Sequence, residues 1–131
     1  MIIDSQLLDT LTSQARMSPR LRMNFDLRNS PNDQSQRMLN AIEPNSVVPV
    51  HRHRKSSETI VVVRGRVCFL LFDKMGCMEE SVELNANGPC FAINVPVGQW
   101  HTLNSLESGT IIMETKDGPY EPTSEEDIMN L

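Results

Sequence analysis

The 131-residue chain predicts an all-β domain, a sandwich or barrel of short strands led by one short α-helix. Three observations carry that prediction. β-type runs recur near residues 37–43, 47–53, 58–64, 66–72, 79–84, 89–95, 100–104 and 110–116, separated at close intervals by Pro, Gly and Asn. The segment Arg20–Arg28 alternates polar and apolar at every step, the period of a half-buried strand with Leu21, Met23, Phe25 and Leu27 toward the core. A length of 131 residues accommodates one core rather than two.

Taken in order, Leu7, Leu8, Leu11 and Ala15 recur at intervals of three and four, one apolar stripe of a helix that Asp4 or Ser5 can cap. Ser18-Pro19 ends it, because proline disfavours helix at the preceding residue. The reading divides the single domain into a helix (residues 1–17), a barrel (18–117) and a tail (118–131). The helix is expected outside the barrel or against a partner subunit. A turn-rich Asn29–Asp33 follows the alternating strand, and no internal repeat interrupts the rhythm. The acidic, proline-bounded stretch from Pro119 reads as a surface tail in which Ser124 caps a last helical turn.

Composition narrows the function. With a net charge of −5, one Trp and one Tyr, the chain has neither the basic footprint nor the stacking platform of a nucleic-acid binder. Charge is unevenly distributed: residues 16–66 hold ten of the twelve basic residues, and residues 67–131 hold eleven of the seventeen acidic ones. Neighbouring strands or subunits that pair opposite charges explain this, as does a basic pocket for an anion. Cys68, Cys77 and Cys90 are odd in number and form no C-x-x-C pair, which fits a reducing compartment, and they read as small buried residues or free thiols. The opening Met-Ile-Ile-Asp-Ser-Gln has no basic region before an apolar run, and no stretch reaches bilayer length, so the expected location is cytoplasmic, without membrane attachment.

The chemistry concentrates in His51-Arg-His53-Arg-Lys-Ser-Ser-Glu58 and Pro96-Val-Gly98-Gln-Trp-His101. His51 and His53 are two apart and share a face on an extended strand, Glu58 heads the next apolar run, and a hairpin between the two would bring all three together. His101 arrives behind a Pro-x-Gly turn. Three neutral imidazoles and a carboxylate suit one divalent transition ion (zinc, iron(II), manganese, nickel or cobalt) and leave coordination positions open.

His51-x-His53, Glu58 and Gly65 at this spacing resemble the first cupin motif, with Asn45 where that motif has a glycine, and Pro96-x-Gly98-x-x-His101 resembles the second. Ser18-Pro-Arg-Leu-Arg-Met-Asn24, Gln36-Arg-Met-Leu39, Pro49-Val-His-Arg-His53 and Gly118-Pro-Tyr-Glu-Pro122 are similar to the WbuC family of cupin-fold metalloproteins. The resemblance implies a double-stranded β-helix (jelly-roll) barrel, a metal at His51, His53, Glu58 and His101, and an association with bacterial surface-polysaccharide gene clusters. It implies no particular reaction.

The leading expectation is a metal-dependent enzyme acting as a Lewis acid on a sugar-like or anionic small molecule. A non-catalytic sugar-binding or sensing module and an iron(II) oxygenase are the alternatives. Arg20 and Arg22, on the polar face of the alternating strand, and Arg37 are candidate clamps for a phosphate or carboxylate. Arg54 and Lys55 lie between ligands, where they would draw an anion to the opening. All three histidines are assigned as ligands, so proton transfer falls to metal-bound water, Tyr120 or an acid such as Glu43. A homodimer is the expected assembly.

Overall fold

Asp4 starts the helix that the leucine spacing predicts: its Oδ1 accepts the Leu7 N–H at 3.0 Å, satisfying one of the free amides of the first turn. In the computed structural model, which describes residues 1–130, this helix α1 spans Ser5–Met17 and buries Leu8, Leu11, Thr12 and Ala15. Ser18 terminates it, donating its N–H to the Ala15 carbonyl ahead of Pro19.

Ten strands follow: β1 (Arg22–Asp26), β2 (Ser35–Ile42), β3 (Val50–His51), β4 (Glu58–Arg64), β5 (Arg66–Phe72), β6 (Met78–Asn85), β7 (Ala92–Val95), β8 (Trp100–Ser105), β9 (Ile111–Asp117) and β10 (Ile128–Met129). They form two five-stranded sheets in the orders β1-β2-β9-β4-β7 and β10-β3-β8-β5-β6, with every pairing antiparallel. The inner faces enclose Ile42, Ile60, Val62, Val67, Phe69, Leu84, Val95, Leu103 and Ile112, the jelly-roll core expected of alternating strands.

A second apolar cluster lies on the outer face of the first sheet, where α1 packs Leu8, Leu11 and Ala15 against Leu39, Ala41 and Ile111. Met23, Phe25 and Leu27 join this cluster and not the barrel interior. The polar side of β1 is therefore the inward one: Arg22 pairs with Ile42 and Asn24 with Asn40, on the same face as the barrel core. Leu21 does not belong to the strand. It takes a left-handed φ of 56° in a turn closed by its N–H to the Ser18 carbonyl at 3.0 Å.

Two further expectations are corrected. β3 and β4 do not form a hairpin, since they belong to opposite sheets. The chain from Gly118 is not a free surface tail, because β10 extends the second sheet by pairing with β3, although a 3-10 turn (Glu125–Asp127) does follow Ser124; Leu131 lies outside the described residues. The three cysteines are free thiols, one of the two expected states, with Cys77 and Cys90 exposed and Cys68 half-buried.

Two backbone positions make the strand connections. Asn45 adopts φ +74°, so it takes the left-handed conformation that a glycine would otherwise supply before β3. At Gly65 (φ +80°) the chain passes from β4 in one sheet to β5 in the other, and an added Cβ would collide with Thr110 Oγ1 and lie 2.9 Å from Thr110 Cα. Gly65→Ala is expected to cost about 2–4 kcal/mol, combining left-handed strain with overpacking against a backbone atom, read as a lower urea midpoint.

Candidate metal centre

The strand register sets the site's floor. On the second sheet His51 pairs directly with His101, and His101 with Leu71. Across the barrel, Glu58 pairs with Lys116 and with Val95, and Lys116 pairs with Gln36. His53 lies just beyond β3, held by the Pro-x-Gly turn through the Gly98 N–H donated to its carbonyl at 2.8 Å. Gly98 has φ +81°, which a side-chain-free residue adopts without strain. The four side chains converge, with one nitrogen or oxygen from each within 4.8 Å of all the others.

The imidazoles are aimed by their second nitrogens. His51 Nδ1–H donates to the Pro49 carbonyl and His101 Nδ1–H to the Gln99 carbonyl, each at 2.8 Å. A carbonyl only accepts, so these bonds assign the proton to Nδ1 and turn Nε2 inward as a lone-pair donor, the arrangement common behind metal-bound histidine. Phe69 stacks on the His101 ring with centroids 5.7 Å apart, closing the floor on the apolar side.

These contacts provide a chemical test of fit for a cation. With Nδ1 protonated, His101 Nε2 and Glu58 Oε1 face one another as two acceptors 2.8 Å apart. His53 Nε2 and Glu58 Oε2 are buried without hydrogen-bond partners, although buried polar atoms ordinarily have them. Glu58 is 3% and His101 2% exposed. A proton or a cation between the facing acceptors relieves the repulsion, and the orphaned atoms favour a cation that all four residues share.

The titration behaviour agrees. Burial, followed by the charge of His101, lowers the His51 pKa to about 4, so this imidazole is neutral at pH 7, as a ligand must be. Burial alone would raise Glu58, but the imidazoles of His101 and His53 beside it and the Lys116 charge hold it well below the usual carboxylate range. Glu114, inward-facing on β9 between Ile112 and Lys116, is pushed up to about 7 by burial first and then by the negative Glu58. Its neighbour Asn40 donates to Glu114 Oε2 at 3.4 Å.

The other candidates fall elsewhere. Arg22 is inward-facing at the sheet edge and donates to the Val47 carbonyl at 2.8 Å. Arg20 is exposed, with its carbonyl accepting from Ser46. Arg37 lies on the outer face of β2, opposite to Gln36, and bonds the Leu27 carbonyl. Tyr120 is exposed and lies beneath the Arg28 guanidinium. Glu43 belongs to the opposite end of the barrel, accepting from Ser108, Gly109 N–H and Arg16. Sequence reasoning missed Glu114 and Lys116; the signal was an acid and a lysine in the inward phase of Ile112-Met-Glu114-Thr-Lys116.

A cleft of about 290 Å³ opens beside His53, between the loop 52–56 and the C-terminal segment. Gly118, Pro119, Pro122 and Ser124 form much of one wall. The segment is tied down by Arg52–Asp127 at 3.0 Å, Arg54–Asp127 at 2.8 Å and Arg54–Glu126 at 3.0 Å. The basic and acidic parts of the chain thus pair within one molecule, and Arg52 also stacks 4.6 Å above the Trp100 ring.

A jelly-roll barrel with three histidines and a glutamate converging at one end is the arrangement of the cupin fold, and solved structures agree on that fold. KdgF from Halomonas sp. matches with a TM-score of 0.63 at 16% identity, over 79% of this chain and 84% of that one. CapF matches at 0.61 and 19% identity, over 76% of this chain. An oxalate decarboxylase of Bacillus subtilis, described with Mn(II) centres, matches at 0.60 and 17% identity over 84% of this chain. This chain spans 28% of the length of each of the latter two. No curated protein matches it in sequence. The chain belongs to the family described as Domain of unknown function (DUF6016), which matches residues 3–84 and so takes in His51, His53 and Glu58. Among the described residues no helix is long and apolar enough to cross a membrane.

The depressed His51 pKa fixes a sign. Between its ordinary 6.5 and about 4, the unfolded chain binds a proton that the folded chain excludes, so stability falls as pH falls through that window. Glu58 continues the loss at lower pH, where its carboxylate is protonated. Glu114, raised to about 7, has the opposite sign between its ordinary 4.5 and that value and offsets this loss, so the His51 effect is read in a Glu114→Gln background. Urea midpoints of that metal-free variant should drop as pH falls from about 6.5 to about 4, with a shallower slope when His51→Gln is added.

Proposed function

We propose that this protein binds one divalent transition ion through His51, His53, Glu58 and His101 and uses it to act on a small molecule. The observation that carries the proposal is the pair of facing acceptors, His101 Nε2 and Glu58 Oε1, beside two buried atoms without partners. The donor set accommodates zinc, iron(II), manganese, nickel or cobalt, and the likeness to an enzyme with Mn(II) centres places manganese among the first ions to test. When bound, the ion supplies Lewis-acid polarisation of a carbonyl or hydroxyl oxygen.

The chain's own residues supply the rest. The cleft admits a ligand beside His53, the ligand whose side chain is 19% exposed while Glu58 and His101 are sealed. Glu114, with its pKa pushed up to about 7, holds or releases a proton near neutral pH, as isomerisation or epimerisation requires. A sugar-binding or sensing module that leaves its ligand unchanged is the alternative reading. The finer placement, on a sugar-like or anionic metabolite of bacterial surface-polysaccharide biosynthesis, is supported by the WbuC resemblance.

Elemental analysis of untagged protein tests the centre. Wild type is expected to carry close to one ion per chain, and His51→Ala and Glu58→Gln to lose most of it; a wild type that stays metal-free after reconstitution with each of the five ions refutes the proposal. Glu114→Gln should retain the metal while lowering turnover about 100-fold or more, the scale of general acid–base catalysis. Retained metal and unchanged turnover would assign the proton step elsewhere.

A further inference from the structure

The cleft beside His53 contains four cations, and three of them already have acids. Arg52 and Arg54 pair with Asp127 and Glu126 at 2.8–3.0 Å, and Lys55 lies 3.6 Å from Glu121. Lys116 differs. Its one ion-pair partner among the described residues is Glu58, with Nζ 3.7 Å from the Oε2 that has no hydrogen-bond partner. It projects inward from β9 directly across from Glu58, its side chain is 17% exposed, and it lines the cleft together with His53.

A divalent ion held by neutral imidazoles and Glu58 takes up that carboxylate's charge, and the Lys116 ammonium is then left next to a positive centre. Partly buried charge of one sign is unfavourable unless paired. Glu114 offsets only part of it, and Asp117 and Glu121 are exposed to water. The compensating charge has to come from the ligand. The cleft walls are charged and polar side chains, two prolines and a glycine, with no aromatic ring besides His53 on which an uncharged sugar could stack.

We propose that the cleft binds the oxyanion group of a small ligand, a carboxylate or a phosphate, and that Lys116 is its anchoring cation; this rests on the metal-centre reading above. The ammonium donates charge-assisted hydrogen bonds to the oxyanion at the mouth of the site, directing the remainder of the ligand along the 118–124 wall.

The test is calorimetry on full-length, zinc-loaded protein with inorganic phosphate, acetate and uncharged methyl glucoside, with zinc measured separately by elemental analysis. At least one oxyanion is expected to bind more tightly than methyl glucoside. Lys116→Gln should lose about tenfold or more of that affinity, the scale of one charge-assisted hydrogen bond, at unchanged zinc content. Lys116→Arg, which keeps the charge, should retain most of it. Preference for phosphate assigns a phosphate-bearing ligand, and preference for acetate a carboxylate. Oxyanion affinity unchanged in Lys116→Gln, equal binding of methyl glucoside, or no oxyanion binding to the zinc-loaded wild type would each overturn the inference while leaving the metal centre standing. Failure of the wild type to take up zinc or any of the other ions would overturn both.

Discussion

Glu58 is a carboxylate sealed from water at one end of a barrel whose core is mostly Val, Ile and Leu, and its surroundings are arranged to make that tolerable. A lone ion in such a place is strongly unfavourable, so it has to be matched by cationic or hydrogen-bonding partners from more than one element. His101 approaches from the facing sheet at 2.8 Å, Lys116 from the neighbouring strand at 3.7 Å and His53 from the β3 loop at 3.6 Å. The backbone carbonyls of Pro49 and Gln99 turn the imidazoles toward the same point. A shared cation completes a balance that the side chains alone leave unfinished, because two of their buried atoms have no partner.

The barrel divides its interior by polarity along its length. From Ile60 and Val62 to Leu84 and Leu103 the space is filled by apolar side chains, whereas the end carrying Glu58, His101 and Lys116 is polar and opens to the cleft. The C-terminal segment gives that end its outer wall. β10 pairs with the strand that carries His51, and Asp127 and Glu126 neutralise the arginines flanking His53. Metal ligation, cleft shape and the C-terminal strand are therefore mechanically connected through a few residues of β3 and the loop after it. The same pairing leaves Lys116 as the basic group positioned to meet a ligand.

Much of this was legible in the residues. Strand positions followed the alternation closely: the run near 58–64 is β4, that near 66–72 is β5, and Asp4 caps α1 as the leucine spacing required. The four converging residues were readable because histidine and glutamate at cupin spacing are rare by chance, and local extended geometry already puts His51 and His53 side by side. Less legible was which face of β1 points inward. Alternation identifies two faces but not their destinations, and α1 covers the apolar one from outside. The tail misled for a related reason: its acidic residues look like a solvated end until they meet Arg52 and Arg54, which lie roughly seventy residues away in sequence.

What the sequence determined by itself was the kind of element, the turns and the ligand types, since these depend on neighbours within a few residues: a cap three positions from its amide, a Pro-x-Gly turn, an alternating run. Only the tertiary structure decided that β3 and β4 lie in opposite sheets, so that the site is assembled between sheets and not along one hairpin. It also decided that Glu114 and Lys116 share the inner face with Glu58 while Glu43 is held at the far end by Arg16 and Ser108. Those outcomes follow from which strands pair and from which apolar surface each sheet must bury, and both are set by contacts between residues far apart in the chain, where local propensity carries no information.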